Sequence, residues 1–242
     1  MSWLSKKPIA HRGLHDDIIP ENSKAAFQKA IEVGYAFELD VHLSKDKKLI
    51  VMHDENLKRM TGVDKNIADE SSEYIKTLTL LQTQEKIPTL DEVLVLVEGK
   101  VPLLIEVKNE GKVGELEERV YEMLKGYKGE FAIQSFNPFT LGWFAKNASH
   151  ILRGQLSGRF EDVELPFYTK FLLGNLLLNG FSKPHFIVYE SVHLPNLAVS
   201  ISKIFQKTIL AWTIDSEDKI PHAREHANNI VFKKIRPRIE NV

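Results

Sequence analysis

Two histidines (His11, His53), an arginine (Arg12), a lysine (Lys108) and three acids (Glu38, Asp40, Glu106) are the residues whose types and spacing suit chemistry. His11-Arg12-Gly13 ends a short apolar run, and Gly13 lets the backbone turn sharply or approach a ligand closely. Arg12 is a bidentate partner for phosphate or carboxylate, so the triplet suits an anion site. A salt bridge from Arg12 to Glu21 is the alternative, and the two uses are compatible. Glu38 and Asp40 lie two apart on one apolar run, which puts both side chains on one face of a strand. Carboxylates held that close repel, and one protonates unless a cation lies between them. "LLIEVK" repeats the device with Glu106 and Lys108. Three acids around one opening, in a chain without cysteine, make a hard-oxygen cage for Ca²⁺ or Mg²⁺ rather than zinc. Either histidine alone reads as a structural residue. As a pair beside the acids, with ordinary pKa values of about 6.5, they suit a general acid and a general base near neutral pH.

Positioning these residues takes a particular set of elements. Strand candidates are Pro8–His11, Ala36–Val41, Leu103–Val107, Phe131–Ser135, Leu152–Leu156, Phe186–Glu190, Ile209–Ile214 and Ile230–Phe232. Between them, "ENSKAAFQKAIEVG" reads as an amphipathic helix closed by Gly34, and "TLDEVLVLVEG" as one opened by a Thr89–Glu92 capping box. "GELEERVYEMLKGY" and "LPNLAVSISKIFQ" also have helical spacing. "LIVMHD" follows "FELDVHLS" after only "KDKK", too short for a parallel crossover of about a dozen residues. Val41–Met52 is therefore expected to be a hairpin that returns His53 towards Glu38 and Asp40. The remaining strand–helix units fit a (β/α)₈ TIM barrel of about 250 residues with a β-hairpin extension after the second strand. A doubly wound open sheet is the alternative. With no linker, repeat or low-complexity segment, residues 1–242 are expected to form a single TIM-barrel catalytic domain. A barrel site lies at the C-terminal strand ends. That rule selects His11-Arg12, Glu38, Asp40, Glu106, Lys108, Gln134-Ser135, Glu190 and Trp212.

Composition narrows the partners. The 242 residues carry a formal net charge of −1, which argues against charge-driven binding of nucleic acid or an acidic membrane. The absence of cysteine excludes disulfides and thiolate metal sites. No apolar leader precedes the first motif, and a soluble cytoplasmic protein is expected. "PFYTKFLLGNLLLNGF", Pro166 to Phe181, is shorter than the roughly 20 apolar residues of a spanning helix. Tyr168, Phe171, Leu172 and Leu176 have helical spacing, so most of this stretch is expected to face a barrel. On that reading an aspartate at Phe171 or Leu172 damages folding. The alternative is a lip for acyl chains, which leaves peripheral membrane contact open.

"AHRG", "PENSKAAFQKAIEVG", "FELDVHLSKDKKLIVMHD", "IPTLDEVL" and "LLIEVK", in order over Ala10 to Lys108, together resemble the glycerophosphodiester phosphodiesterase family. Beyond Lys108 the match thins to "QSF" at Gln134–Phe136 and "AWTID" at Ala211–Asp215. The tail departs, with "NIVFKKIRP" where such enzymes usually carry a threonine–aspartate pair. The resemblance implies a TIM barrel that hydrolyses glycerophosphodiesters to an alcohol and glycerol 3-phosphate with one divalent cation, Ca²⁺ or Mg²⁺. By motif position it implies Glu38, Asp40 and Glu106 as metal ligands and His11 and His53 as the acid–base pair. Arg12 and Lys108 would hold phosphate oxygens, Glu21 and Asn22 would brace the first loop, and Phe136 and Trp212 would wall the pocket. Two rivals are kept: a lysophospholipase D or sphingolipid-type phosphodiesterase on the same barrel, and a non-catalytic phosphometabolite-binding protein.

Overall fold

Nine short apolar runs become strands: β1 (Ile9–Ala10), β2 (Ala36–Leu43), β3 (Leu49–Val51), β4 (Leu103–Val107), β5 (Phe131–Ser135), β6 (Arg153–Ser157), β7 (Phe186–Glu190), β8 (Thr208–Ile214) and β9 (Asn229–Phe232). The structure, a computed structural model, describes residues 2–109, 111–161 and 163–239. β4, β5 and β7 have the bounds their apolar runs predict, and the others differ by a residue or two at an end. All belong to one sheet in the order β1-β9-β8-β7-β6-β5-β4-β2-β3, with a further β1–β2 pairing. That pairing closes the strands into a (β/α)₈ barrel and leaves β3 outside it, as the second arm of a hairpin. The open sheet is excluded.

Residues Ala10–Phe131 form one compact unit. Here β2 runs antiparallel to β3, Val41 opposite Val51 and Leu43 opposite Leu49, as so short a link requires. On its other side β2 runs parallel to β4, with Glu38 opposite Leu104 and Asp40 opposite Glu106. Helix Lys24–Val33 starts where the Ser23 hydroxyl accepts from the Ala26 N–H. It stops at Gly34, whose φ of 85° suits glycine and whose N–H caps the Ala30 and Ile31 carbonyls. Its Phe27 stacks on Phe37 of β2 at 4.6 Å. The Thr89–Glu92 capping box opens helix Leu90–Val97 as expected. From β3 to this helix the chain makes its own small core from Ile50, Met52, Leu57, Met60, Ile67, Ile75, Leu80 and Ile87. That core anchors the hairpin's return and the short helix Lys58–Thr61.

The other compact unit is built mainly from Ala132 onward. β6 to β9 are parallel neighbours, with Gln155 opposite Ile187, Val188 opposite Leu210 and Ala211 opposite Ile230. Phe144, Phe186 and Phe232 fill its interior. Gly154 is needed for packing, since a Cβ there would lie 2.1 Å from the Phe186 ring.

The stretch after β6 departs from its predicted role. Helix Phe167–Gly174 buries none of its residues fully; Phe167 is 83 % exposed, Tyr168 67 % and Phe171 52 %. Leu172 is half-buried, and Leu176 alone of the expected inward set is buried. The helix ends at Asn175 after about two turns, too short to continue the apolar face down to Leu176, and the spacing of Tyr168, Phe171 and Leu172 is the same whether that face meets a core or solvent. Phe171→Asp is therefore expected to change stability by less than about 1 kcal/mol, the range of surface substitutions. Thermal unfolding checks this, and a collapse of the folded state would show the ring to be packed. Among the described residues, no helix is long and apolar enough to cross a membrane.

Candidate active site

Strand geometry assembles the acids. On β2, Glu38 and Asp40 share one face while Leu39 takes the other. The parallel register sets Glu106 of β4 opposite Asp40, so the third acid joins the same face. All three are buried. Each offers an oxygen within 4.8 Å of those of the other two. Lys108, just beyond β4, brings its Nζ to 3.1 Å from Glu106 Oε1 and 3.8 Å from Asp40 Oδ1.

The loop after β1 closes over this cluster. Arg12 has φ 55° and Gly13 φ 80°, a turn that a side chain at 13 would spoil, because its Cβ would lie 2.9 Å from Ala26 and Phe27. The turn points the Arg12 N–H at Glu38 Oε2 (3.0 Å) and its Nε at Asp40 Oδ2 (3.5 Å). Arg12 Nη1 donates to Glu21 Oε1 at 2.7 Å, and the Asn22 amide donates to Asp40 Oδ2 at 2.9 Å. The Asn22 N–H returns to the Arg12 carbonyl at 2.9 Å, tying the loop to itself. His11 Nε2 lies 4.0 Å from Glu38 Oε2.

The hairpin supplies the second histidine. The Met52 N–H donates to the Asp40 carbonyl at 3.1 Å, which brings His53 back to the end of β2. The His53 carbonyl is 2.9 Å from Nε2 of buried His42, and His53 Nδ1 is 2.6 Å from Asp54 Oδ1. Arg59 then grips Asp54 through Nε (2.5 Å) and Nη2 (3.2 Å), and its Nη2 also reaches Glu21 Oε1 (2.6 Å).

Charge at the cluster is unbalanced, with Arg12 and Lys108 facing three buried carboxylates. Burial, reinforced by Asp40 and Glu106, pushes Glu38 well above the ordinary carboxylate range. Burial also raises Glu106, against the pull of Lys108. Asp40 is as buried, but Lys108 and Arg12 outweigh that and hold it well below the usual range. Burial pulls Lys108 down, and Glu106 and Asp40 more than reverse it. Burial likewise weighs on Arg12, and Asp40, Glu21 and Glu38 outweigh it.

These residues fit a hard divalent cation. Glu38 Oε1 and Asp40 Oδ1 are buried without a hydrogen-bond partner, a costly state for carboxylate oxygens. Oxygens up to 4.8 Å apart can share one ion, since Ca²⁺–O distances are about 2.3–2.6 Å.

The structure thus brings His11, Arg12, Glu21, Asn22, Glu38, Asp40, His53, Glu106 and Lys108 into one compact unit. Phe136 and Trp212 belong to the other unit, where their rings meet edge-on at 5.6 Å and Phe136 also meets Phe160 at 5.7 Å. The Trp212 Nε1–H donates to the Ser157 carbonyl at 3.1 Å. Sequence reading missed His42, Asp54 and Arg59. His42 had a signal, as the next same-face residue after Glu38 and Asp40. Asp54 adjoins His53 and had proximity alone; Arg59 had none.

A family model described as the glycerophosphoryl diester phosphodiesterase family matches residues 11–232. The chain is 39 % identical over 160 residues to a glycerophosphodiester phosphodiesterase of Caldanaerobacter subterraneus, covering 61 % of this chain and 65 % of that protein. It is 39 % identical over 141 residues to a human lysophospholipase D, covering 53 % of this chain and 43 % of that one. It thus spans less than two thirds of the length of these curated relatives. Its fold is similar to that of an Oleispira antarctica phosphodiesterase solved in complex with the product sn-glycerol-3-phosphate. The TM-score is 0.78 and identity 26 %, over 93 % of this chain and 91 % of that one. A glycerophosphodiester phosphodiesterase from Thermotoga maritima gives a TM-score of 0.73 at 27 % identity, over 93 % and 92 %.

Proposed function

Because the chain belongs to the glycerophosphoryl diester phosphodiesterase family, we propose that it hydrolyses glycerophosphodiesters to an alcohol and glycerol 3-phosphate. The observation that carries this reading is the buried Glu38–Asp40–Glu106 cluster flanked by Arg12 and Lys108. A phosphodiester anion resists nucleophiles, so charge developing on its oxygens must be met by positive groups. Arg12 and Lys108 hold the phosphoryl oxygens. His11 and His53 are the acid–base pair: one takes the proton of the attacking oxygen, the other returns a proton to the departing one. Glu38, Asp40 and Glu106 hold a divalent cation, Ca²⁺ or Mg²⁺, which when bound polarises the phosphoryl group. Glu21 orients Arg12 and Asn22 orients Asp40 through the hydrogen bonds above. The chain works as one catalytic domain.

The test is release of glycerol 3-phosphate from glycerophosphocholine and glycerophosphoethanolamine by the purified protein with Ca²⁺ or Mg²⁺. No release from either substrate with either ion overturns this reading.

The exposed aromatics of Phe167–Phe181 and the likeness to a lysophospholipase D support a second reading, hydrolysis of lysophospholipids. All the side chains assigned above to phosphate, proton and metal are polar, and none offers contact to an acyl chain. Higher kcat/KM is therefore expected on glycerophosphoethanolamine than on lysophosphatidylethanolamine. The reverse order, lost in a well-folded Phe171→Asp variant, would establish the second reading.

A further inference from the structure

An unbroken chain of charged hydrogen bonds joins the two ends of the candidate site: His53–Asp54–Arg59–Glu21–Arg12. We propose that Arg59 is a positioning residue whose single guanidinium sets the acid–base histidine and the phosphate-holding arginine against each other. The assignment rests on the phosphodiesterase reading.

The geometry is specific to arginine. Its fork engages both Asp54 oxygens, through Nε at 2.5 Å and Nη2 at 3.2 Å, and Nη2 still reaches Glu21 at 2.6 Å. A lysine has one nitrogen and no plane, so it cannot hold both carboxylates in a fixed relation. Each carboxylate passes the constraint on. Asp54 Oδ1 lies 2.6 Å from His53 Nδ1, and Glu21 Oε1 accepts from Arg12 Nη1 at 2.7 Å. An ionised carboxylate only accepts hydrogen bonds, so Asp54 keeps the His53 proton on Nδ1 and leaves Nε2 to exchange one. Burial raises Asp54, but hydrogen bonds from Arg59 and His53 outweigh it and lower its pKa to about 2, so it is ionised wherever the protein is folded near neutrality.

The base of the chain is firm. Arg59 sits on helix Lys58–Thr61, whose Met60 is packed into the small core around Ile50 and Met52. The Arg59 side chain itself is 46 % exposed. Ion pairs at that exposure add little to stability, so losing them leaves the fold in place. Their cost falls on geometry, where a displacement of about 1 Å lowers turnover by up to about 100-fold.

The experiment compares wild type with Arg59→Lys, Arg59→Met and Asp54→Asn on glycerophosphocholine at saturating Ca²⁺ or Mg²⁺. Readouts are kcat, KM, the thermal midpoint, rescue by added methylguanidinium, and the His53 ring tautomer from ¹⁵N NMR. Arg59→Met is expected to lose roughly 10- to 100-fold in kcat with the thermal midpoint within a few degrees of wild type. Methylguanidinium should restore part of that loss, and Arg59→Lys should fall between the two. The His53 signal should move from Nδ1–H towards a tautomer mixture in Arg59→Met and Asp54→Asn. Turnover within about twofold of wild type, or a loss that merely follows unfolding and is not rescued, overturns the proposal. An inactive wild-type protein overturns the phosphodiesterase reading instead. In that event an unchanged tautomer in Arg59→Met also overturns the role of Arg59, and a shifted one sustains it.

Discussion

Exhaustive chelation is expected to abolish glycerophosphodiester hydrolysis, and added Ca²⁺ or Mg²⁺ to restore it. Glu38, Asp40 and Glu106 are buried together, three carboxylates beside the two fixed cations Arg12 and Lys108. A cation among them supplies several kcal/mol of charge stabilisation, so its loss costs on the order of 10³-fold or more in rate. Asp40→Asn should cost as much, because it removes one of the proposed ligands together with the ion-pair partner of Arg12 and Lys108. Stability provides an independent check. Burial and its acidic neighbours raise Glu38 in the folded state, so the folded protein keeps a proton that the unfolded chain has released. Its contribution is therefore full below the ordinary glutamate pKa of about 4.3 and is lost as pH rises through the raised value. A bound cation removes that loss. The rise in thermal midpoint on adding Ca²⁺ or Mg²⁺ should accordingly grow with pH. Full activity after dialysis against chelator, with no shift in midpoint at any pH, would sink the metal assignment.

Replacing either histidine should be nearly as damaging. His11→Ala and His53→Ala are each expected to cut kcat by roughly 10²–10⁴-fold, the size of general acid–base catalysis. The two rings come from different places, His11 from the end of β1 and His53 from the hairpin return. His11 Nε2 approaches Glu38, while the far side of His53 is engaged by Asp54. Neither variant should unfold, since both side chains sit at the margin of the core. Steady-state kinetics with circular dichroism of each variant decides the matter. Near-native turnover in either one removes that histidine from the acid–base pair.

The barrel was legible in this chain because its strands are brief apolar runs separated by helical patterns with recognisable caps such as Ser23, Gly34 and the Thr89–Glu92 box. The hairpin followed from chain length alone, since "KDKK" is too short for anything but an antiparallel return. The segment between β3 and helix Leu90–Val97 was less readable. Its small core draws single apolar residues from turns and short helices with no shared period.

By itself the sequence determined which side chains share a face. Strand period places Glu38 with Asp40 and Glu106 with Lys108, and Gly13 marks the turn that brings Arg12 to them. These are consequences of local backbone geometry, which a few neighbouring residues dictate. Tertiary structure alone decided that Asp40 lies opposite Glu106, because register between strands far apart in sequence depends on packing of the whole sheet. It also decided that Arg59 bridges Asp54 and the distant Glu21, because a long flexible side chain takes its rotamer from whatever carboxylates the fold sets within reach. And it decided that Phe167, Tyr168 and Phe171 face outward. A local apolar pattern is the same whether its rings meet a core or solvent, and only the path of the surrounding chain distinguishes the two.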